Sequence, residues 1–110
     1  MDTYLLAYRG GRVPEGEAER AQVMDAWGAW MSKVGDNLVD QGAPFGPSKT
    51  VTNDGSVQEG GAAALTGYSI IKAESLDAAA EVAKTCPVLS SGGTIDIYET
   101  FDVMAAMNAG

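Results

Sequence analysis

The sequence contains no histidine and only one cysteine, Cys86. Without histidine the chain has no Ser-His-Asp or Cys-His arrangement and none of the usual imidazole metal ligands. A single cysteine forms neither an intrachain disulfide nor a Cys-rich zinc cluster. We therefore expect no metal and no cofactor, and any proton transfer would depend on Asp, Glu, Tyr, Lys or water.

Positive charge and long apolar runs are also scarce. Seven Lys and Arg residues oppose fifteen Asp and Glu residues, which gives a net charge of −8 at pH 7. Because nucleic acids and anionic lipids are bound through a basic face, we expect neither as a partner. No apolar run approaches the roughly 18 residues of a membrane span, and the N-terminus lacks a signal-peptide pattern. These features predict a cytoplasmic protein.

The order of hydrophobic patterns predicts one α+β domain over residues 1–110. Strands are expected at 3–8, 67–74 and 94–100, with a second strand from NLVDQG to SKTVT and a surface loop over 56–66. One helix is predicted from Glu17 to Val34, and another from the cap Ser75 to Cys86. The order βαββαβ is the ferredoxin-like arrangement, an antiparallel sheet with both helices on one face.

Strand alternation predicts which side chains share a face of this sheet. We assign Leu5 and Ala7 to the helix face. The opposite face then holds the larger side chains, namely Tyr4, Leu6, Tyr8, Tyr68, Ile70 and Tyr98. So much apolar surface requires a cover, and a second copy packed sheet to sheet is the simplest one. The sequence thus predicts a homodimer whose tyrosines either fill the interface or also line a ligand cavity.

Two tryptophans and a kinked segment are candidates for a pocket wall. Trp27 and Trp30 share a face of the first helix, where Trp27 is expected in the core and Trp30 partly exposed; alternatively both wall a cavity. Residues 41–55, QGAPFGPSKTVTNDG, are interpreted as the second strand broken at its glycine and prolines. In this interpretation Phe45 turns inward, and Lys49 lies at the rim and pairs with an anionic ligand or with Asp40.

Charged and thiol groups allow two interpretations each. Arg9 and Arg12 flank a Gly-Gly pair, which either holds an anion or is an ordinary solvated loop. The carboxylates Asp36, Asp40 and Asp54 act as bases only if burial raises their pKa, and otherwise they hydrogen-bond the backbone of turns. Cys86 is expected to be a small buried residue rather than a nucleophile.

Four stretches together resemble the YCII-related family (YciI-like, or DGPF), which belongs to the dimeric α+β-barrel superfamily. They are YLLAYRGG, MDAWGAWMSKVGDNLVDQGAPFGPSKTVTNDG, GYSIIKAESLDAAAEVAKTCP and GGTIDIYET. The resemblance implies a ferredoxin-like protomer, a dimer, and a pocket between the sheet and the first helix. The family's proposed His–Asp pair falls at Met24 and Lys33 here, and the DGPF region reads DGSVQEGG, so that chemistry is not carried over.

Taken together, the sequence predicts a homodimeric small-molecule-binding or regulatory protein. The alternative is a cofactor-independent isomerase or lyase for a small aromatic or carboxylated substrate, with Tyr8, Asp40 or Lys49 as its first candidates for catalysis. The residues predicted to form the ligand pocket are Tyr8, Arg9, Trp27, Trp30, Asp40, Phe45, Lys49, Tyr68 and Tyr98.

Overall fold

A computed structural model of the chain describes residues 1–11, 14–60 and 65–101. The strands are β1 (Asp2–Arg9), β2 (Leu38–Asp40), β3 (Lys49–Val51), β4 (Val57–Glu59), β5 (Leu65–Ala73) and β6 (Thr94–Thr100). The helices are α1 (Gly16–Val34) and α2 (Leu76–Ala83), with short 3-10 turns at Gly35–Asn37 and Pro87–Ser91. Neither α1 nor α2 is long and apolar enough to cross a membrane, and no other helix in the described ranges is.

The main sheet has the antiparallel strand order β2-β5-β1-β6. This is the ferredoxin-like α+β fold, as the sequence predicted. Strands β3 and β4 form a separate two-stranded hairpin. The prediction of one loop over 56–66 was therefore wrong, and SKTVT belongs to this hairpin rather than to the second strand of the sheet.

Capping residues in the sequence determine where α2 begins and where α1 ends. Ser75 caps α2, because its hydroxyl accepts the backbone N–H of Ala78 at 3.0 Å. The small side chains of Ala79 and Ala83, one turn apart, are buried and let α2 lie close to the sheet. Helix α1 ends at Gly35, whose φ of 62° is in the left-handed region that favours glycine.

The core lies between the sheet and the helices, and β1 contributes its tyrosines to it. The register places Tyr4 opposite Ile71 and Leu6 opposite Ser69, so these residues share one face. Tyr4 is 1% exposed, Leu6 0% and Tyr8 5%, and all three belong to the core cluster with Trp30. The predicted facing of β1 was thus wrong, although β5 and β6 face as predicted. Leu5 and Ala7 lie on the open face, because β1 is apolar on both faces and only pairing with β5 fixes its orientation.

Candidate functional site

A broad cleft of about 1220 Å³ lies along α1. Its walls come from α1, the Gly10-Gly11 turn after β1, the Pro87–Ser91 turn, and the kinked segment at Pro44 and Phe45. Ligand pockets usually measure about 300–1,000 Å³, so there is room for a small molecule together with water. Small side chains of α1 that face this space, such as Ala26 and Ala29, leave the cleft open where larger ones would fill it.

An aromatic row leads from the core to the cleft. The ring centroids of Tyr8 and Trp27 lie 5.5 Å apart and those of Trp27 and Trp30 lie 5.8 Å apart, both edge to face. Trp30 is 3% exposed, and its indole N–H donates to Thr85 Oγ1 at 3.1 Å. Trp27 is only half-buried. Both rings line the cleft, but their predicted burial was reversed, because acceptors at the end of α2 hold Trp30 rather than Trp27.

Beneath this row, Tyr8 belongs to a buried hydrogen-bond chain. Its hydroxyl donates to Ser69 Oγ at 2.7 Å, and Ser69 Oγ donates to the carbonyl of Gln41 at 2.9 Å. Burial raises the pKa of Tyr8 well above its ordinary value. The phenol therefore stays protonated and bonded to the protein. Cys86 beside it is buried, as predicted, and burial likewise raises the pKa of its thiol.

The kinked segment brings Phe45 to the cleft. After β2 ends, Pro44 forms an isolated bridge with Gly67, and the Phe45 N–H donates to the Thr66 carbonyl at 2.9 Å. The segment thus continues along the sheet edge, which is where a strand tolerates proline. The Phe45 ring lines the cleft and stacks on Tyr68 with centroids 5.8 Å apart, although it remains 45% exposed.

Asp40 and Lys49 do not line this cleft. Lys49 pairs with Glu59 across the hairpin at 2.9 Å, so the predicted pairing with Asp40 was wrong. The Asp40 carboxylate accepts the Gly42 N–H at 2.8 Å and the Tyr68 hydroxyl at 3.2 Å. The second of these bonds raises the pKa of Tyr68. Asp40 therefore holds a turn and a tyrosine at the sheet edge.

The other predicted site residues lie on the open face of the sheet or in turns. Arg9 forms an ion pair with Asp96, whose hydrogen bond and charge raise the pKa of the Arg9 guanidinium, and the nearby Tyr98 raises that pKa further. Arg12 lies outside the described residues. Asp54 accepts hydrogen bonds from Thr52 and Ser56, which lower its pKa to about 2. It is an ionised turn residue, and we assign it no role as a base.

The cleft has few charged groups among its described lining residues. Its described ionisable side chains are Glu15, Glu19 and Lys33, and the Glu19 carboxylate accepts the backbone N–H of Glu15 at 3.2 Å. Within the described ranges no three His, Cys, Asp or Glu side chains are grouped to hold a metal ion. The wall at Pro87–Ser91 was missed by sequence reasoning. The sequence PVLSSGG indicates a turn after α2. It does not indicate that this turn packs near α1 and lines the cleft.

The comparisons with known proteins agree with this fold. No curated protein matches the sequence. One matching solved structure is the 5-chloro-2-hydroxyhydroquinone dehydrochlorinase TftG from Burkholderia phenoliruptrix AC1100, in complex with 2,5-dihydroxybenzoquinone. It is 19% identical with a TM-score of 0.56, over 93% of this chain and 97% of that chain. The YCII-related domain family matches residues 1–104, and the chain belongs to this family.

Proposed function

We propose that the protein is a cytoplasmic homodimer that binds a small aromatic molecule in the α1 cleft. The observation that carries this proposal is the aromatic wall formed by Trp27, Trp30 and Phe45 around an open space. Wide apolar clefts with a few polar groups are the usual sites for small ligands. The dehydrochlorinase is named for a hydroxylated six-membered ring and holds another, which makes such rings suitable first probes.

Binding without catalysis is the favoured form of this proposal. The residues first considered for catalysis do not meet in the cleft, since Tyr8 is bonded to Ser69 and neither Asp40 nor Lys49 lines it. The name of the dehydrochlorinase supports the alternative of a cofactor-independent lyase or isomerase. Chromatography of a ring probe incubated with the protein distinguishes the two, because only the enzyme generates product.

Filling the cleft should weaken binding without unfolding the protein. Ala26 lines the cleft and is exposed, so an Ala26→Trp side chain can occupy the space a ligand needs. We expect calorimetric titration with 2,5-dihydroxybenzoquinone to show binding to the wild type and at least a tenfold weaker affinity for Ala26→Trp.

Met24→Trp is the matched control for this substitution. It adds the same side chain on α1 at a residue that is 70% exposed and does not line the cleft. Its affinity should equal that of the wild type. Equal binding by Ala26→Trp would place the ligand elsewhere, and no binding of the probe by the wild type would remove the support for this ligand class.

The proposed dimer uses the open face of the sheet. This face carries Leu5 and Ile70, both half-buried, and Tyr98, which is 52% exposed. The pairing of Leu5 with both of these residues makes one continuous apolar strip across three strands. A second copy packed face to face would cover the strip with an identical one, as a two-fold interface requires.

Light scattering coupled to size exclusion tests the dimer. We expect the wild type to have twice the chain mass of 11.4 kDa. Tyr98→Asp should dissociate it at micromolar concentration, because the interface would bury a carboxylate. Val51→Asp is the control, since Val51 is 68% exposed on the hairpin, away from the strip. A wild-type monomer, or a Tyr98→Asp dimer as stable as the control, would contradict this arrangement.

A further inference from the structure

We propose that the cleft selects a planar ring carrying a hydrogen-bond acceptor, and that the indole N–H of Trp27 is the donor that selects it. The acceptor would be a carbonyl, phenolate or carboxylate oxygen attached to the ring. This inference rests on the proposed function, because it concerns the ligand of the same cleft. The Trp27 N–H would add a directional hydrogen bond to the apolar contacts that the aromatic rings of the cleft make with a ligand.

The two tryptophans of the cleft differ in the use of their indole N–H groups. The Trp30 N–H is already bonded within the protein, to Thr85 Oγ1 at 3.1 Å and to the Val82 carbonyl at 3.4 Å. The Trp27 N–H has no acceptor among the described residues. In the described part of the chain no buried side-chain nitrogen or oxygen lacks a partner, so Trp27 Nε1 is accessible to solvent rather than enclosed in the core, and Trp27 lines the cleft.

Two neighbouring aromatic rings orient the Trp27 side chain. It makes edge-to-face contacts with Tyr8 and with Trp30, at centroid distances of 5.5 Å and 5.8 Å. Tyr8 is in turn fixed by its bond to Ser69. A donor that is already oriented loses little conformational entropy on binding, and more of its hydrogen-bond energy therefore appears as affinity.

This arrangement predicts a preference among rings of similar size. A ring with an acceptor in reach of Trp27 satisfies the N–H that water otherwise solvates. A purely hydrocarbon ring displaces that water but offers no acceptor. The Trp27 N–H then loses its hydrogen bond, and this loss weakens the binding of the hydrocarbon ring. The cleft should consequently bind 2,5-dihydroxybenzoquinone more tightly than p-xylene, although both rings can pack against the aromatic wall.

Trp27→Phe tests the donor, because it keeps an aromatic ring and removes the N–H. By calorimetric titration we expect Trp27→Phe to bind 2,5-dihydroxybenzoquinone about 5- to 10-fold more weakly than the wild type does. Its affinity for p-xylene should change less than twofold. Its thermal midpoint should fall only modestly, since the phenyl ring keeps part of the packing of Trp27 against Tyr8 and Trp30.

Each alternative result has a separate meaning. If the wild type does not bind 2,5-dihydroxybenzoquinone, the proposed function fails for this ligand class. If the wild type and Trp27→Phe bind it equally, the ligand site stands and the donor role is overturned. An equal loss for both probes also overturns the donor role, because it would assign Trp27 only a packing contribution.

Discussion

Replacing Gly42 with alanine is expected to remove most of the folding stability of the protein. Gly42 has a φ of 77°, a conformation that costs an L-residue roughly 1–2 kcal/mol. The added Cβ would also overlap the carbonyl oxygen of Tyr68, a backbone atom of β5. Because β5 is paired on both sides, by β2 and β1, it cannot move away cheaply. We expect a loss of about 4 kcal/mol or more, at the extreme of single substitutions.

Gly55→Ala provides the matched control for Gly42→Ala. Gly55 has a φ of 87° in the turn of the β3–β4 hairpin, but its added Cβ meets no atom within 4 Å. Only the backbone strain remains there, so the expected loss is about 1–2 kcal/mol. Urea unfolding followed by circular dichroism would measure both variants. Similar losses for the two would show that the close approach to β5 is absorbed by adjustment.

Gly42 links stability to the candidate site. The Gly42 N–H bonds the Asp40 carboxylate, and the following residues place Phe45 in the wall of the cleft. A shift of this segment would move Phe45 away from Tyr68 and widen the cleft. The kinked segment therefore packs closely against β5 at the edge of the sheet. Gly42 is required there both for its positive φ and because a larger side chain would meet the β5 backbone.

The fold could be predicted from the sequence because it follows from the order of the helices and strands, and hydrophobic periodicity reveals that order. The helix at Gly16–Val34 and the strands Leu65–Ala73 and Thr94–Thr100 have clear patterns. The facing of β1 could not be predicted in this way, since Tyr4 and Leu5 are both apolar and alternation leaves two equivalent solutions. Strand β4 has only three residues, all exposed, and carries no pattern that separates it from a loop.

The candidate site was predicted in part. Trp27, Trp30 and Phe45 lie at the cleft, since a shared helix face and a kinked edge are local properties. The pairing of Lys49 with Glu59 required knowing that a hairpin forms, and the reversed burial of the tryptophans required the position of Thr85. The ion pair of Lys49 and the burial of the two tryptophans depend on contacts between different segments of the chain. Hydrophobic periodicity within one segment contains no information on such contacts. The ligand-binding role of the predicted residues stays a prediction.

Ser69→Ala should be the most costly loss of a single hydroxyl group in the described core. Ser69 is 0% exposed, and its Oγ accepts from Tyr8 and donates to the Gln41 carbonyl. Alanine leaves the buried Tyr8 hydroxyl without a partner, at a cost of about 1–3 kcal/mol, and removes the bond to the carbonyl of the exposed Gln41, at a cost of about 1 kcal/mol. We expect a loss of about 2–4 kcal/mol in the free energy of unfolding. Tyr8→Phe should cost only about 1 kcal/mol, because Ser69 keeps its bond to Gln41.

A double-mutant cycle and its pH dependence distinguish this hydrogen-bond chain from simple packing. The Tyr8→Phe/Ser69→Ala variant should lose less stability than the sum of the single losses, by about 1 kcal/mol or more, because the double variant no longer has the unpartnered phenol that Ser69→Ala leaves.

Burial raises the folded-state pKa of Tyr8 above its unfolded value of 10.0, so the contribution of Tyr8 to stability is complete below pH 10 and declines above it. The advantage of wild type over Tyr8→Phe should therefore shrink above pH 10, by at most about 1.4 kcal/mol per pH unit. Additive losses and a pH-independent difference would together mean that the chain contributes no coupled stability.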